Sequence, residues 1–173
     1  MKLINLVQSI ICVLLFTLPL KSLGGLKWVD VGVNGLTCSL CTRSVERSIS
    51  RLDFVDSVVM SLEKTEGRIY LKVGELVDLK KIAKAVVDAG FSVRFFQLEF
   101  NFSDVTVNTE GYFSYQNQKY RWLQYKGGLT KGDVSLTLID EGFLPRKESG
   151  QWKKKFEFSN DSGGKNVFHV VQL

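Results

Sequence analysis

The chain has 173 residues, of which 45% are hydrophobic and 24% are charged, and its formal net charge at pH 7 is +5. This length has room for two small domains, or for one domain behind a cleaved leader. The charge is too small to indicate a nucleic-acid or membrane-binding surface, and three cysteines are too few for a framework of several disulfides.

The N-terminal stretch has the pattern of an export signal. After a short basic start, residues 3–20 are mostly apolar, and Ser22 and Gly24 are small residues at the two positions that a signal peptidase reads. We therefore expect a signal peptide over residues 1–24, which predicts an extracytoplasmic, for example periplasmic, protein without stable membrane insertion. A transmembrane anchor is the alternative, because the apolar run approaches the length that spans a bilayer.

Two cysteines three positions apart carry the clearest chemical signal after the leader. Cys38 and Cys41 follow an alternating apolar stretch and precede an amphipathic helical pattern, which predicts a loop running from a strand into a helix N-terminus. The positive end of that helix favours the thiolate, which is the form that binds metal. Two soft thiolates without harder ligands suit a soft ion such as Cu(I), and four-ligand structural zinc is disfavoured. A thioredoxin-like redox pair and a local disulfide remain alternatives.

Residues 27–96 predict the order strand, helix, strand, strand, helix, strand. The apolar residues of the strands alternate and those of the helices recur at helical spacing, while Asp78 is the predicted N-cap of the second helix and Gly90 its end. This βαββαβ order predicts an α+β, ferredoxin-like domain with two helices on one face of a four-stranded antiparallel sheet. The first helix is expected over residues 42–52, and the strands near residues 29–33, 58–62, 69–73 and 91–95.

Segment 33–41 (VNGLTCSLC), with Val45-Glu46 downstream and the residues Asp88-Ala89-Gly90-Phe91 near the end, resembles the heavy-metal-associated domain. That family includes copper chaperones, the N-terminal modules of metal-pumping ATPases and the exported mercury-binding protein of mercury-resistance systems. The resemblance covers residues 27–96, and it implies that Cys38 and Cys41 are the metal ligands.

Two further positions take roles from the same resemblance. Leu36 lies where the family usually has a methionine that packs beneath the metal loop, and leucine keeps that packing role. Phe91 matches a position near the loop that is aromatic or lysine in the family and influences which ion and which partner are preferred.

The apolar alternation changes phase near residue 96. Val93 and Phe95 belong to one series, Phe96 and Leu98 to the next, and a one-residue shift sends side chains to the opposite face of a sheet. This marks either a bulge or a domain boundary. Beyond it the chain predicts a small all-β domain over residues 97–173, with an OB-like barrel as the favoured form. Its six short β patterns lie at residues 105–107, 112–115, 120–125, 134–139, 152–158 and 167–173.

No reactive constellation is visible in the second half. His169 is the one histidine and is expected in the core or at the surface, not as a metal ligand. In residues 97–173 the aromatic residues are expected in the core and the lysines at the solvated surface, so nucleic acid is not an expected partner. No nucleophile–base pair, carboxylate dyad or phosphate loop indicates an enzyme.

The sequence therefore predicts an exported protein that binds one soft metal ion through Cys38 and Cys41 and hands it to a protein partner in metal homeostasis or resistance. Cu(I) is the favoured ion, and Hg(II) or another soft metal ion is the alternative. One alternative is a docking protein whose β domain recognises an exported or membrane partner, with metal binding incidental. The other is a thiol–disulfide oxidoreductase.

Overall fold

The computed structural model describes residues 24–128, 130–156 and 167–173. The predicted signal peptide lies outside the described residues, apart from Gly24. Within the described ranges no helix is long and apolar enough to cross a membrane. These ranges contain eight strands and three helices. In chain order they are β1 (Gly25–Asn34), α1 (Ser39–Ser50), β2 (Val55–Ser61), β3 (Glu66–Leu71), α2 (Leu79–Asp88), β4 (Ser92–Asn101), β5 (Tyr112–Tyr115), β6 (Gln118–Trp122), β7 (Asp133–Leu138), α3 (Arg146–Phe156) and β8 (Val167–Val171).

The first six elements follow the predicted βαββαβ order. Their strands lie in the order β2-β3-β1-β4, and each neighbouring pair is antiparallel. The alternating valines of β1 are at most 1% exposed, and they share one core with Val45 and Ile49 of α1 and with the apolar side of α2. Both helices therefore cover the same face of the sheet. The predicted α+β, ferredoxin-like arrangement of residues 27–96 agrees with this architecture.

The phase change near residue 96 is a bulge inside one continuous strand. Gly32 of β1 pairs with Phe95 of β4, but Val33 pairs with Val93, so Arg94 is the extra residue. Beyond the bulge, Phe96 points into the core beneath the helices and Phe95 lies on the other face of the sheet. Strand β4 runs on without interruption to Asn101.

The remaining strands extend the same sheet. Strand β7 pairs antiparallel with β4 from Gln97↔Thr137 to Asn101↔Asp133, and the full order is β2-β3-β1-β4-β7-β8-β6-β5. The expected OB-like barrel is therefore wrong, because β5 to β8 continue an open sheet. The predicted domain boundaries at residues 24 and 96 stay a prediction, although β4 crosses the second one.

The prediction of an all-β second half is also wrong, because α3 occupies residues 146–156 where a strand was expected from residue 152. Trp152 and Phe156 pack with Ile139, Leu144 and Val171 in a second, smaller core. Phe95 also contributes to that core, so α3 covers the face of the sheet opposite α1 and α2. Residues 105–107, a further predicted strand, form a loop.

Candidate metal centre

The two cysteines lie at the N-terminus of α1, directly after the loop that leaves β1. Cys38 is the N-cap residue with an extended backbone, and its Sγ accepts a hydrogen bond from the backbone N–H of Cys41 at 3.2 Å. The N–H and the hydroxyl of Thr42 both donate to the carbonyl oxygen of Cys38 at 3.1 Å. The Sγ of Cys38 thus caps the helix, a role that a side-chain oxygen of serine, threonine or aspartate usually has. The helix dipole favours negative charge at this end.

The helix turn brings both sulfurs together at the surface. The Cα atoms of Cys38 and Cys41 are 5.2 Å apart, and the structure joins the two sulfurs in a disulfide. Cys38 is exposed, whereas Cys41 is half-buried and packs against the main core. The predicted site residues therefore meet in one place that is open to solvent. Since a disulfide has no thiolate to offer, metal binding requires the reduced pair.

The loop between β1 and α1 rests on buried apolar residues. Gly35 has a φ of +85°, a conformation that glycine adopts without steric cost, and Leu36 behind it is only 4% exposed. A Cβ on Gly35 would lie 3.7 Å from Cδ1 of Phe91, so Phe91 lies against the loop. The structure thus places Leu36 beneath the loop and Phe91 beside it.

A basic surface lies along α1 beside the cysteines. The arginine stripe, formed by Arg43, Arg47 and Arg51, is exposed and follows one side of the helix. It lines a groove of about 420 Å³ together with Asp88 and with Leu40, whose side chain is 74% exposed. Asp88 is already paired with Lys84 at 2.6 Å, and none of the three arginines forms an ion pair with another residue in the described ranges. The groove next to the cysteines is therefore net positive.

His169 lies in β8, away from the cysteine loop, and its role is local. Its ring Nδ1 is 2.8 Å from Oδ1 of Asp140, its backbone N–H donates to Oδ2 of the same carboxylate, and it is 7% exposed. The residues that the structure describes contain no group of three or more histidine, cysteine, aspartate and glutamate side chains that could hold a metal. Of the two expected placements, core or surface, the structure places His169 in the core.

Sequence reasoning missed the contacts that brace the root of the loop. Asn34 Nδ2 donates to Ser92 Oγ at 3.4 Å, and the N–H of Val33 donates to the carbonyl oxygen of Thr65 at 2.8 Å. Arg94 in turn holds the turn that contains Thr65. The one signal in the sequence is the phase change near residue 96, which predicts a bulge or a domain boundary there; the strand register identifies Arg94 as the extra residue.

The first half of the chain matches known proteins. A family model described as the heavy-metal-associated domain matches residues 30–92. The copper chaperone CopZ of Bacillus subtilis (strain 168) is 36% identical over 61 residues, which are 35% of this chain and 87% of that protein. The mercuric transport protein periplasmic component of Pseudomonas fluorescens is 33% identical over 63 residues, 36% of this chain and 68% of that protein.

A much larger relative matches over the same part of the chain. The copper-transporting ATPase RAN1 of Arabidopsis thaliana is 31% identical over 71 residues, which are 41% of this chain. The chain spans only 7% of the length of that ATPase.

Proposed function

The chain belongs to the heavy-metal-associated domain family, and we propose that it binds one soft metal ion through Cys38 and Cys41 and passes it to a protein partner. The observation that carries this proposal is the meeting of both sulfurs at the exposed N-terminus of α1, with their Cα atoms 5.2 Å apart. A pair of thiolates at an accessible helix end can hold an ion that a second protein can still reach.

Binding begins with reduction of the disulfide. A dithiol reductant supplies two electrons and two protons, is itself oxidised to a disulfide, and leaves Cys38 and Cys41 as thiols. Both thiols lose their protons when they bind the ion. The N–H of Cys41, which contacts Cys38 Sγ at 3.2 Å, and the positive end of α1 stabilise the thiolate of Cys38.

Cu(I) is the proposed cargo and Hg(II) the second candidate. Both are soft ions that prefer thiolates, whereas Mg²⁺ and Ca²⁺ prefer sets of oxygen ligands. Within the described ranges, no group of three or more histidine, cysteine, aspartate and glutamate side chains could hold a metal. One relative is named as a copper chaperone and another as a mercuric transport protein, so these two ions are the first to compare.

Transfer to the partner proceeds by ligand exchange. A thiolate of the partner adds to the ion before a sulfur of this chain leaves, which needs an approach from solvent. Cys38 is exposed, whereas Cys41 is half-buried, so we propose that the partner's thiolate displaces Cys38 first. The protein is thus proposed as a carrier and not as an enzyme.

The arginine stripe favours a protein partner whose docking surface is acidic. Arg43 lies two residues after Cys41, and Arg47 and Arg51 continue the stripe along α1. The exposed side chain of Leu40 offers an apolar contact in the same groove. Complementary charge speeds the encounter of two proteins more than it strengthens their complex. We propose that the partner docks along this groove with its metal-ligating thiols facing Cys38.

Export of the protein is proposed from the leader pattern of residues 1–24. The test is the N-terminal sequence of the mature protein recovered from outside the cytoplasm. Cleavage after Gly24 is the expected result, and a retained Met1 would contradict it.

The proposed function is tested by titrating the reduced protein with Cu(I) against a competing Cu(I) chelator under anaerobic conditions. We expect the protein to withdraw one equivalent of Cu(I), and the Cys38→Ser, Cys41→Ser double variant to withdraw none. The disulfide form of the unaltered protein is the matched control, because it has the same chain without free thiolates. Equal binding by the protein and the double variant would refute the proposal. Parallel titration with Hg(II) ranks the two ions.

The disulfide favours one second candidate, a thiol–disulfide oxidoreductase. That function requires Cys38 and Cys41 to exchange disulfides with a model dithiol substrate at a rate above that of free glutathione. An exchange rate no higher than that of free glutathione would exclude this function.

A further inference from the structure

Arg94 links the end of β1 that leads into the metal loop to a turn on the neighbouring strands. It is the extra residue of the β4 bulge, since Gly32 pairs with Phe95 and Val33 pairs with Val93. A bulge turns its residue away from the regular alternation of the strand and so re-aims its side chain.

The guanidinium group of Arg94 is held on two sides. Its Nη2 donates to the carbonyl oxygen of Lys64 at 3.0 Å and to Oγ1 of Thr65 at 3.3 Å. The group lies over the ring of Phe95, 4.9 Å from its centroid. Both hydrogen bonds to the turn come from Nη2, and Nε is buried without a hydrogen-bond partner among the described residues.

The turn that Arg94 holds has an unfavourable backbone. Thr65 has a φ of +53°, which is uncommon for a β-branched residue and persists only where surrounding contacts impose it. The carbonyl oxygen of Thr65 accepts the N–H of Val33 at 2.8 Å. Val33 is the last buried residue of β1, and only four residues separate it from Cys38.

From this chain of contacts we infer that Arg94 is a positioning residue for the metal loop. It fixes the turn at Thr65, which fixes Val33, from which the loop to Cys38 and Cys41 departs. This inference rests on the proposed function for its metal readout, but its structural readout is independent of metal. Loss of the guanidinium group loosens the loop and lowers affinity for the ion, without removing either ligand.

The test compares Arg94→Met and Arg94→Lys with the unaltered protein in the reduced state. Removal of groups that orient metal ligands commonly weakens binding by about tenfold or more, and we expect a loss of about fivefold to tenfold in Cu(I) affinity for Arg94→Met. Lysine keeps the positive charge over Phe95 and a hydrogen-bond donor but lacks the planar guanidinium group. The Cu(I) affinity of Arg94→Lys is therefore expected to lie between those of the unaltered protein and Arg94→Met. Amide hydrogen exchange of the metal-free protein is expected to rise in residues 33–41 in the same order.

Arg68 supplies the matched control. It is another guanidinium on the same sheet, with two hydrogen bonds to Asp30 at 2.8 and 2.9 Å and a position over the ring of Trp28, 4.7 Å from its centroid. We expect Arg68→Met to alter Cu(I) affinity by about twofold or less, because Arg68 does not contact the turn at Thr65.

Each outcome decides the inference. Unchanged affinity and unchanged exchange of residues 33–41 in Arg94→Met would overturn it. The inference is also overturned if Arg94→Met and Arg68→Met lose Cu(I) affinity in the same proportion to their loss of thermal stability. Arg94 would then have only a general structural role. If the unaltered protein binds no Cu(I), the proposed function fails, and exchange of residues 33–41 alone then decides the role of Arg94.

Discussion

Leu98→Ala tests whether the eight-stranded sheet unfolds as one unit. Leu98 lies in β4, is fully buried, and its backbone partners are Val29 on one side and Leu136 on the other, both also fully buried. Truncating a buried leucine to alanine costs about 2–5 kcal/mol, since it removes apolar contacts and leaves a cavity. Because the cavity would lie between β1 and β7, both halves of the chain lose packing.

The expected effect is measurable in urea. A loss of about 3 kcal/mol with a denaturant slope of about 2 kcal/mol per molar lowers the unfolding midpoint by about 1.5 M. Pulsed hydrogen exchange followed by mass spectrometry reports unfolding separately in peptides from β1 to β3 and from β6 to β8. We expect the same midpoint in both groups of peptides, and the same shift of both in the variant.

Val73→Ala is the matched control, because Val73 is 95% exposed and its truncation is expected to change stability by less than about 0.5 kcal/mol. If residues 27–96 and residues 97–173 unfold independently, two different urea midpoints of unfolding are expected instead. A shift confined to the peptides of one half would refute the reasoning from the continuous sheet.

Two further predictions concern the partner surface and a buried phenol. Replacing Arg43 and Arg47 by glutamate is expected to slow Cu(I) transfer to an acidic heavy-metal-associated acceptor domain by about tenfold or more at low salt. Transfer of Cu(I) to a small neutral chelator is expected to keep its rate. Equal slowing of both reactions would contradict the proposed docking groove. Burial raises the pKa of Tyr120 above the ordinary value of 10.0, so the stability that this phenol confers is present below about pH 10 and lost as the pH rises. We therefore expect the unfolding free energy to fall more steeply above about pH 10 in the unaltered protein than in Tyr120→Phe, by up to about 1.4 kcal/mol per pH unit, and parallel slopes in chemical denaturation would contradict this.

Local patterns were sufficient to predict the first half of the fold. Asp78 caps α2 through its carboxylate, which accepts the N–H groups of Lys80 and Lys81, and Gly90 follows the end of the helix with a φ of +92°. The start of α1 was placed three residues too late, because its cap is the sulfur of Cys38 and not the usual oxygen. The family resemblance located both cysteines, but no sequence pattern defines their redox state.

The second half was harder to predict because its patterns are ambiguous. Trp152 and Phe156 are four positions apart, a spacing that fits both the alternation of a strand and one side of a helix. The structure resolves this with α3, where the two rings stack at 5.7 Å over the second core. Arg94 was missed for a different reason, since its partners Lys64 and Thr65 are about 30 residues earlier in the chain.

The bulge at Arg94 connects the cysteine loop to the part of the chain that lies outside the family match. The extra residue puts Val93 and Phe96 on the same face of the sheet, in the core under α1 and α2. Phe95 is left on the opposite face, at the core under α3. The matched region of CopZ is 87% of that protein, so its family unit stands almost alone, whereas here β4 continues to Asn101 and pairs with β7. The same short stretch of β4 therefore attaches the second half of the sheet and carries the arginine that braces the loop.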